Sequence, residues 1–572
     1  MSFSHLGAGL RSALAAGYGW ADLRQDALAG LTVGIVAVPL AMALAIATGV
    51  PPQHGLYTAI IAGGLIALSG GSRFNVSGPT AAFVVILFPI VVEYGLGGLA
   101  LATMMAGGVL VLLGLSGMGR MIKFVPYPVV LGFTAGIAVV IATRQLPDFL
   151  GLSTEPLGEL YSENLWRIAS AIPTLQPSEL AIGALTLAVL LLWPRLRSPV
   201  PAPLAGLLIG AIAASLLDRW LGVGVATIDS RFSWQIGSEQ GTGIPPFLPT
   251  LDWPWHLPGA NGAPLVLDFA LIRALIGPAL VIAMLGAIES LLCAVVADGM
   301  TRTRHDADAE LVGQGIGNLV VPFFGGVTAT AALARTATSV RSGARSPIAA
   351  IVHALVVVLA VVGLAGVLGR LPMAALAALL FVVAWNMAEV RHFTHTLRGS
   401  PRDDLIILLT CFGLTVFFDM VLAVAVAVGI ALAGALFIRR MALLTSTRRV
   451  GGESDTSLPE FSEAVVVYAI DGPLFFGAAD RALTTLRVVD PGLRVVILDM
   501  RDVPNIDGTA IAALHSVVDE FAHEGIGLIL VVRDARKVVK LRRAGIRTVL
   551  GRVTYCRDLD HARRVAAKWV AP

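Results

Sequence analysis

Charged residues are scarce in this sequence. Asp, Glu, Lys and Arg make up 14% of its 572 residues, whereas soluble globular chains carry about a quarter. This scarcity excludes an ordinary water-soluble protein. Apolar residues take their place: 56% of the chain is hydrophobic, and the mean hydropathy is +0.81. The composition therefore predicts a polytopic membrane protein.

Cysteines are few, and the motifs of common enzyme classes are missing. Cys293, Cys411 and Cys556 lie far apart and match no metal spacing, which argues against a disulfide framework and a zinc site. We find no Walker loop, nucleophile–base set or metal cluster. The sequence predicts a protein that is not an enzyme, uses no cofactor or metal and binds no nucleic acid. The first apolar run is too long for a cleavable signal peptide.

Apolar runs recur over residues 27–440, after a mixed N-terminal segment at 1–26. They predict about fourteen spans, although several are shorter than the ~20 residues of a full crossing. The first seven lie at roughly 29–48, 55–70, 79–93, 97–116, 124–143, 178–196 and 203–221. The second seven lie at roughly 271–297, 310–323, 329–344, 346–368, 371–388, 403–418 and 419–438.

Basic residues concentrate in alternate loops when the N-terminus is placed in the cytoplasm. The inner loops then contain pairs such as Arg302 with Arg304 and Arg439 with Arg440. The outer loops contain fewer arginines, among them Arg144 and Arg167, and two of these loops are long, at about 145–177 and 222–270. Because Lys and Arg favour cytoplasmic loops, we expect both termini in the cytoplasm.

Two glycine- and threonine-rich stretches interrupt the apolar runs in matching halves of the chain. They are residues 75–82 (NVSGPTAA) and 325–332 (GGVTATAA). Each predicts a broken helix whose N-terminus begins inside the bilayer, where free N–H groups and the helix dipole favour an anion. Such a pair of breaks indicates a secondary transporter's site, and seven spans per half predict an inverted repeat.

The chain changes character after Arg440. Residues 441–460 are polar and predict a linker, and residues 461–572 predict a small cytoplasmic α/β domain. Its predicted strands are 465–470, 495–500 and 527–532, and its predicted helices lie near 480–489, 508–524 and 535–544.

Several blocks resemble the SulP (sulfate permease) family of anion transporters. These blocks are residues 39–57, 310–326 and 334–347, and the tail resembles a STAS domain. Within the family, the sequence looks most like bacterial C4-dicarboxylate transporters. The resemblance implies a polytopic α-helical membrane protein with a seven-plus-seven inverted repeat, core and gate domains, and a site between spans three and ten. We also expect a homodimer in the bacterial inner membrane.

The two breaks supply the candidate substrate-binding residues, which are Ser77, Gly78, Thr80, Ala81, Thr328, Ala329, Thr330 and Ala331. Ser and Thr beside a helix start also cap free N–H groups. The two roles are compatible, because a capped half-helix still presents its next N–H groups to an anion. Arg335 lies about one turn beyond the second break. It is a further candidate for substrate binding, with pairing to Glu289 or a structural role as alternatives.

Glu289 lies in an apolar stretch, residues 284–292, without another charge. A carboxylate at this depth is costly unless it is neutral, paired or hydrated. Glu289 is therefore predicted to couple transport to protons, which the resemblance supports, and the alternative is a structural carboxylate bonded to neighbouring helices.

The acidic residues further along look like a solvated cytoplasmic loop: Asp298, Asp306, Asp308 and Glu310.

We expect a secondary transporter that takes up C4-dicarboxylates such as succinate, fumarate or aspartate with protons, by alternating access. The choice of substrate depends on the resemblance, and sulfate or bicarbonate would suit the same parts. A membrane-anchored signalling or scaffold protein, acting through a cytoplasmic partner of the STAS domain, is the alternative from another class. Thr509 falls where related signalling domains carry a phosphorylated serine, so it is either regulatory or a plain polar residue before a helix.

Overall fold

Most of the apolar runs fold as helices. The structure, a computed structural model, describes residues 6–120, 127–158, 160–196, 198, 200–236, 239–399, 402–417, 446–450, 464–472, 493–504, 506 and 508–570. The chain divides into two units, Met1–Gly429 and Ile430–Pro572.

The elements of the first unit follow one another in a mostly helical order. Its helices are α1 (Ala8–Ala15), α2 (Trp20–Ala47), α3 (Pro52–Ser69), α4 (Ala81–Leu115), α5 (Tyr127–Leu150), α6 (Tyr161–Ala171), α7 (Pro177–Leu192), α8 (Ala202–Leu221), α9 (Ile228–Arg231), α10 (Phe269–Thr301), α11 (Ala307–Val320), α12 (Leu333–Arg341), α13 (Ile348–Leu368), α14 (Met373–Met387), α15 (Val390–Gly399) and α16 (Arg402–Phe417). Its strands are β1 (Ser77–Gly78), β2 (Ser233–Ile236), β3 (Glu239–Thr242) and β4 (Thr330–Ala331).

Eight helices within the described residues are long and apolar enough to cross a membrane. Each span predicted before residue 419 overlaps a helix of this unit. The last predicted span, 419–438, lies outside the described residues, so the total of fourteen stays a prediction.

One predicted boundary was wrong, and it matters for the outer side of the protein. Helix α5 continues to Leu150, past the predicted end at residue 143. Arg144 therefore lies inside a helix and not in an outer loop. Polar residues such as Arg144 and Gln145 mark a span end only loosely, because the protein can accommodate them within a helix: Arg144 donates to the carbonyl oxygen of Gly158, and Gln145 is buried.

Glycines shape helix α4. Gly95 has φ +73°, outside the helical range, and divides α4 into a first limb (81–94) and a second limb (96–115). A Cβ at Gly95 would lie 2.2 Å from the carbonyl carbon of Gly259. The bend thus lets an outer loop approach the backbone, which a larger residue would prevent.

The helices pack into two groups. The core group consists of α2, α3, α4, α10, α11, α12 and α13, and the gate group of α5, α7, α8, α14 and α16. Small residues allow close approach within the core group. Where α4 crosses α11, an added Cβ on Gly107 would lie 2.8 Å from the carbonyl oxygen of Gly315, and one on Gly315 would lie 2.7 Å from that of Gly107. Contacts between the groups are sparser, as expected for parts that move relative to each other.

Within the residues that the structure describes, the second unit is built on a five-stranded sheet. Its elements are β5 (Ser446–Val450), β6 (Val465–Asp471), β7 (Val495–Asp499), α17 (Gly508–Glu524), β8 (Gly527–Val531), α18 (Ala535–Arg543), β9 (Val553–Cys556) and α19 (Leu559–Val570). The strands lie in chain order, with β5 antiparallel to β6 and the others parallel. Apolar residues of β6, β7 and β8 are buried on both faces of the sheet, which is typical of parallel strands.

Part of the predicted linker is a strand. Ser446–Val450 pairs with β6, with Thr447 opposite Ile470, although we predicted a linker over 441–460. The strand lies at the edge of the sheet, where polar and charged residues are tolerated. Its sequence therefore lacks the apolar pattern by which strands are predicted. The predicted helix near 480–489 lies outside the described residues.

Candidate functional site

The two predicted breaks meet in the middle of the core group. Strands β1 and β4 pair antiparallel there, with Ser77 opposite Ala331 and Gly78 opposite Thr330. The chain leaves this crossing as helix on both sides, at Ala81 in α4 and at Leu333 in α12. The sequence therefore predicted both breaks correctly, and the structure adds that they are hydrogen-bonded to each other.

Both half-helices begin without a side-chain cap. Thr80 and Ala332 occupy the extended N-cap positions, and neither side chain accepts a hydrogen bond from its helix. The first N–H groups of a helix have no partner within the helix, and they carry the positive end of its dipole. The capping interpretation is wrong for Thr80. The starts of α4 and α12 thus offer main-chain donors to an anion.

Arg335 connects the two breaks. Its side chain is only 3% exposed, and it donates a hydrogen bond of 2.6 Å to the carbonyl oxygen of Pro79. A Cβ on Gly78 would lie 2.7 Å from the Nη1 atom of Arg335, so only glycine leaves room for the guanidinium. A cation from α12 therefore lies directly beside the start of α4.

Glu289 reaches the same crossing from α10. Its Oε2 atom accepts a hydrogen bond of 3.1 Å from the Thr80 hydroxyl, and the side chain is partly exposed. Arg335 lies close enough to interact with this carboxylate electrostatically. Since an ionised carboxylate in this setting needs a partner or water, Glu289, Thr80 and Arg335 form one coupled set.

The other hydroxyls of the breaks bond to protein. Thr330 donates to the carbonyl oxygen of Gly286 over 3.1 Å, and the Thr328 and Thr103 hydroxyls lie 2.7 Å apart. Ser77 accepts from the amide of Gln314 over 3.0 Å. These three side chains shape the crossing, so the donors it offers to a substrate are mainly backbone N–H groups and Arg335.

A buried carboxylate that sequence reasoning misjudged supports the first break. Glu310 is 1% exposed and not part of a solvated loop. It accepts hydrogen bonds from the backbone N–H groups of Gly71 and Ser72, and from the amides of Asn75 and Gln314, at 2.7–3.1 Å. Four donors satisfy the buried charge, so Glu310 fixes the chain that leads into the break.

The neighbouring acidic residues also have structural partners. Asp306 caps α11, Asp308 accepts from the backbone N–H of Gly119, and Asp298 pairs with His305. The prediction of a solvated loop was therefore wrong for Asp308 and Glu310, which are buried. The spacing of Glu310, Gln314 and Asn318 at i, i+4 and i+8 on one face of a helix was the signal that sequence reasoning missed.

Two polar residues from neighbouring helices hold the second break. Thr58 of α3 accepts from the N–H of Val327 over 2.7 Å. The Asn318 side chain of α11 bonds to both the N–H and the carbonyl of Ala329, each at 2.8 Å. The irregular backbone is thus satisfied inside the protein, as a membrane interior requires.

Other candidates lie away from this crossing. Thr509 is at the start of α17 in the second unit, and its side chain lies outside the described residues, so its regulatory role stays a prediction. Within the described parts of the chain, no cluster of His, Cys, Asp and Glu is arranged to hold a metal ion.

Comparisons with known proteins agree with this architecture. The sequence model of the sulfate permease family matches residues 23–410, and the STAS domain model matches residues 458–561. A putative sulfate transporter of Bacillus subtilis, YvdB, is 39% identical over 94% of this chain and 96% of its own length. The bicarbonate transporter BicA of Picosynechococcus sp. is 29% identical over 87% of each chain.

Solved structures show the same fold. The transmembrane domain of a cyanobacterial bicarbonate transporter, BicA, superposes with a TM-score of 0.60 at 26% identity, over 73% of this chain and 98% of that domain. The murine anion transporter Slc26a9 superposes with a TM-score of 0.64 at 19% identity, over 99% of this chain and 94% of its own. The described chain therefore combines a many-helix transporter fold with a C-terminal STAS domain.

Proposed function

The chain belongs to the sulfate permease family of anion transporters, and we propose that the anions it takes up are C4-dicarboxylates such as succinate, fumarate and aspartate, together with protons. The observation that carries this proposal is the crossing of β1 and β4, where two uncapped helix starts flank Arg335. A dicarboxylate brings two carboxylates to a place with two sets of main-chain donors and one guanidinium. Each carboxylate can then meet a separate positive end.

Glu289 supports the proton-coupled part of the proposal. It accepts from Thr80, the residue just before the start of α4, so its charge acts on the same place as the substrate. A neutral Glu289 repels an incoming dianion less than an ionised one. Uptake of one or more protons also lowers the net charge that must cross the membrane. The alternative, a structural carboxylate, predicts no change in the pH dependence of uptake when Glu289 is made neutral.

The division into core and gate groups supports alternating access. Spans that carry the two breaks belong to the core group, and contacts to the gate group are sparse. Rigid movement of one group against the other would expose the crossing first to one side and then to the other. We further propose a homodimer in the bacterial inner membrane, with both termini in the cytoplasm as the basic loops predict.

Sulfate or bicarbonate is the second candidate substrate. The observation in its favour is the similarity to a putative sulfate transporter and to a bicarbonate transporter. A tetrahedral or planar inorganic anion would use the same N–H groups and Arg335. A scaffold acting only through the STAS domain would require no anion at the crossing.

Uptake by proteoliposomes tests these candidates together. Radiolabelled succinate is offered with an inward proton gradient, and unlabelled succinate, fumarate, aspartate, sulfate or bicarbonate is added as competitor. We expect the dicarboxylates to compete and acidic external pH to stimulate uptake. Competition by sulfate or bicarbonate alone would select the second candidate. No flux of any of these anions, compared with empty vesicles, would contradict transport.

A further inference from the structure

Arg144 makes a contact that joins the two helix groups. It belongs to α5 of the gate group, and its guanidinium carbon lies 3.6 Å from the centre of the Phe88 ring in α4 of the core group. Cations over aromatic faces attract electrostatically, and the attraction increases when water is removed. The contact thus ties together two elements that must separate if the groups move.

The contact lies on the same half-helix as the first break. Phe88 follows Ala81 by seven residues, which corresponds to about 10 Å along a helix. Beyond it, the first limb of α4 ends at Gly95, against the outer loop that contains Gly259. The Arg144–Phe88 pair therefore lies between the crossing and the outer side in the predicted orientation.

The α5–α6 loop and α6, which packs against α5 and α16 of the gate group, hold the arginine in place. Arg144 donates a hydrogen bond of 3.0 Å to the carbonyl oxygen of Gly158, and the Asn164 side chain of α6 donates to the same oxygen and accepts from the Gly158 N–H. Because this loop anchors Arg144, a movement of the core group would carry Phe88 away and leave the guanidinium behind. The side of the Arg144 guanidinium that Phe88 had covered would then be open to the outer path.

We propose that Arg144 is a second anion-binding residue, which receives the substrate on the outer side and, while it lies on Phe88, closes the path between the core and gate groups. The ring covers one face of the guanidinium, whereas an anion binds the N–H groups in the guanidinium plane. A carboxylate or sulfate bound there offsets the positive charge that attracts the ring, so arrival of the anion weakens the contact with Phe88 and favours opening. This inference rests on anion transport by alternating access but not on the identity of the anion.

Charged thiol reagents test the proposal without reference to transport. The protein carries Phe88→Cys in a background where Cys293, Cys411 and Cys556 are alanine. Right-side-out spheroplasts receive either sulfonatoethyl or trimethylammonioethyl methanethiosulfonate, two membrane-impermeant reagents of opposite charge. Labelling of position 88 is measured over time by mass spectrometry.

Arg144 should speed the labelling of position 88 by the anionic reagent. Replacing Arg144 by Gln should lower the ratio of anionic to cationic labelling rates by roughly tenfold, since a local positive charge concentrates anions. Arg144→Lys should keep most of the ratio, which also shows that the site folds. Arg167→Gln, a change to a neighbouring outer arginine on α6, is the matched control and should leave the ratio unchanged.

Three outcomes would overturn the proposal. They are an unchanged ratio in Arg144→Gln, an equal decrease in Arg167→Gln, and no labelling of position 88 from outside. Succinate, sulfate and bicarbonate uptake provides the second readout: Arg144→Gln should raise KM roughly tenfold, as for the loss of one charge-assisted pair, whereas Phe88→Leu should not raise it. If none of these anions is transported, the proposed function fails, and the labelling ratio still decides whether Arg144 attracts anions.

Discussion

Arg335 of one half-helix donates a 2.6 Å hydrogen bond to the carbonyl oxygen of Pro79, just before the other half-helix. This bond places a buried cation between two helix starts that lack side-chain caps. Positive potential from three sources converges on one place in a chain with few charges. Anion binding at the crossing follows from this convergence.

Replacing Arg335 by Gln should weaken succinate binding by roughly tenfold or more, because hydrogen bonds to charged groups contribute about 1.5–3 kcal/mol. Calorimetry on purified protein measures the affinity. Arg341→Gln is the control, since Arg341 is exposed at the end of the same helix. Equal affinities in both variants and the parent protein would place the anion elsewhere.

Glycine 78 should tolerate no side chain. Gly78→Ala places a Cβ 2.7 Å from Arg335 Nη1, so the guanidinium must move away from Pro79. We expect uptake of succinate to decrease sharply, while the protein remains monodisperse in detergent. Gly108→Ala, where an added Cβ meets nothing within 4 Å, should behave like the parent. Wild-type uptake by Gly78→Ala would show that the position of Arg335 does not matter.

Glu289→Gln should abolish the stimulation of uptake by an inward proton gradient and leave succinate binding detectable. The amide is neutral at every pH, so it can neither carry a proton nor repel the dianion. Uptake is compared at several external pH values, with Glu93→Gln, on the exposed part of α4, as control. Proton-driven accumulation identical to that of the parent protein would leave Glu289 with a structural role only.

Glu310→Ala should reduce thermal stability strongly. The change leaves four buried donors without their acceptor, and each unsatisfied group costs about 1–3 kcal/mol. The loss of monodisperse protein after heating in detergent reports the effect. Glu239→Ala, in an exposed strand, should have no effect, and equal melting of the two variants would refute a structural role for Glu310.

Removal of the STAS domain should leave substrate binding intact. The cut belongs after residue 444, because Ser446–Val450 is already a strand of the second unit's sheet. The membrane unit has its own core, so it should remain folded and bind succinate with the parent's affinity, while turnover changes. A monodisperse truncated protein that no longer binds succinate would show that the STAS domain takes part in binding.

The sequence predicted the breaks because glycine, proline and threonine interrupt otherwise continuous apolar runs at 75–82 and 325–332. The sequence pointed to Glu289 as a candidate for proton coupling because a single charge in an apolar run is conspicuous. Pairing of the breaks could not be predicted, since partners such as Gly78 and Thr330 lie far apart in the chain. The role of Glu310 was missed for a related reason: its donors come from Gly71, Ser72 and Asn75, which only the fold brings near.

The edge strand Ser446–Val450 and the position of Arg144 show a second limit. The strand is a polar and charged segment, and Arg144 is a charged residue near the end of an apolar run. Composition alone assigns such residues to linkers and loops. Tertiary contacts override that tendency, through pairing with β6 in one case and through the Phe88 ring in the other.

The most direct test is to locate a bound anion. Crystals grown with bromosuccinate allow the bromine to be found by its anomalous signal. We expect one bromine site at the crossing of β1 and β4, with the carboxylates of the bound anion within hydrogen-bonding reach of the first N–H groups of α4 and α12. A bromine site outside the core group, with none at the crossing, would contradict the account.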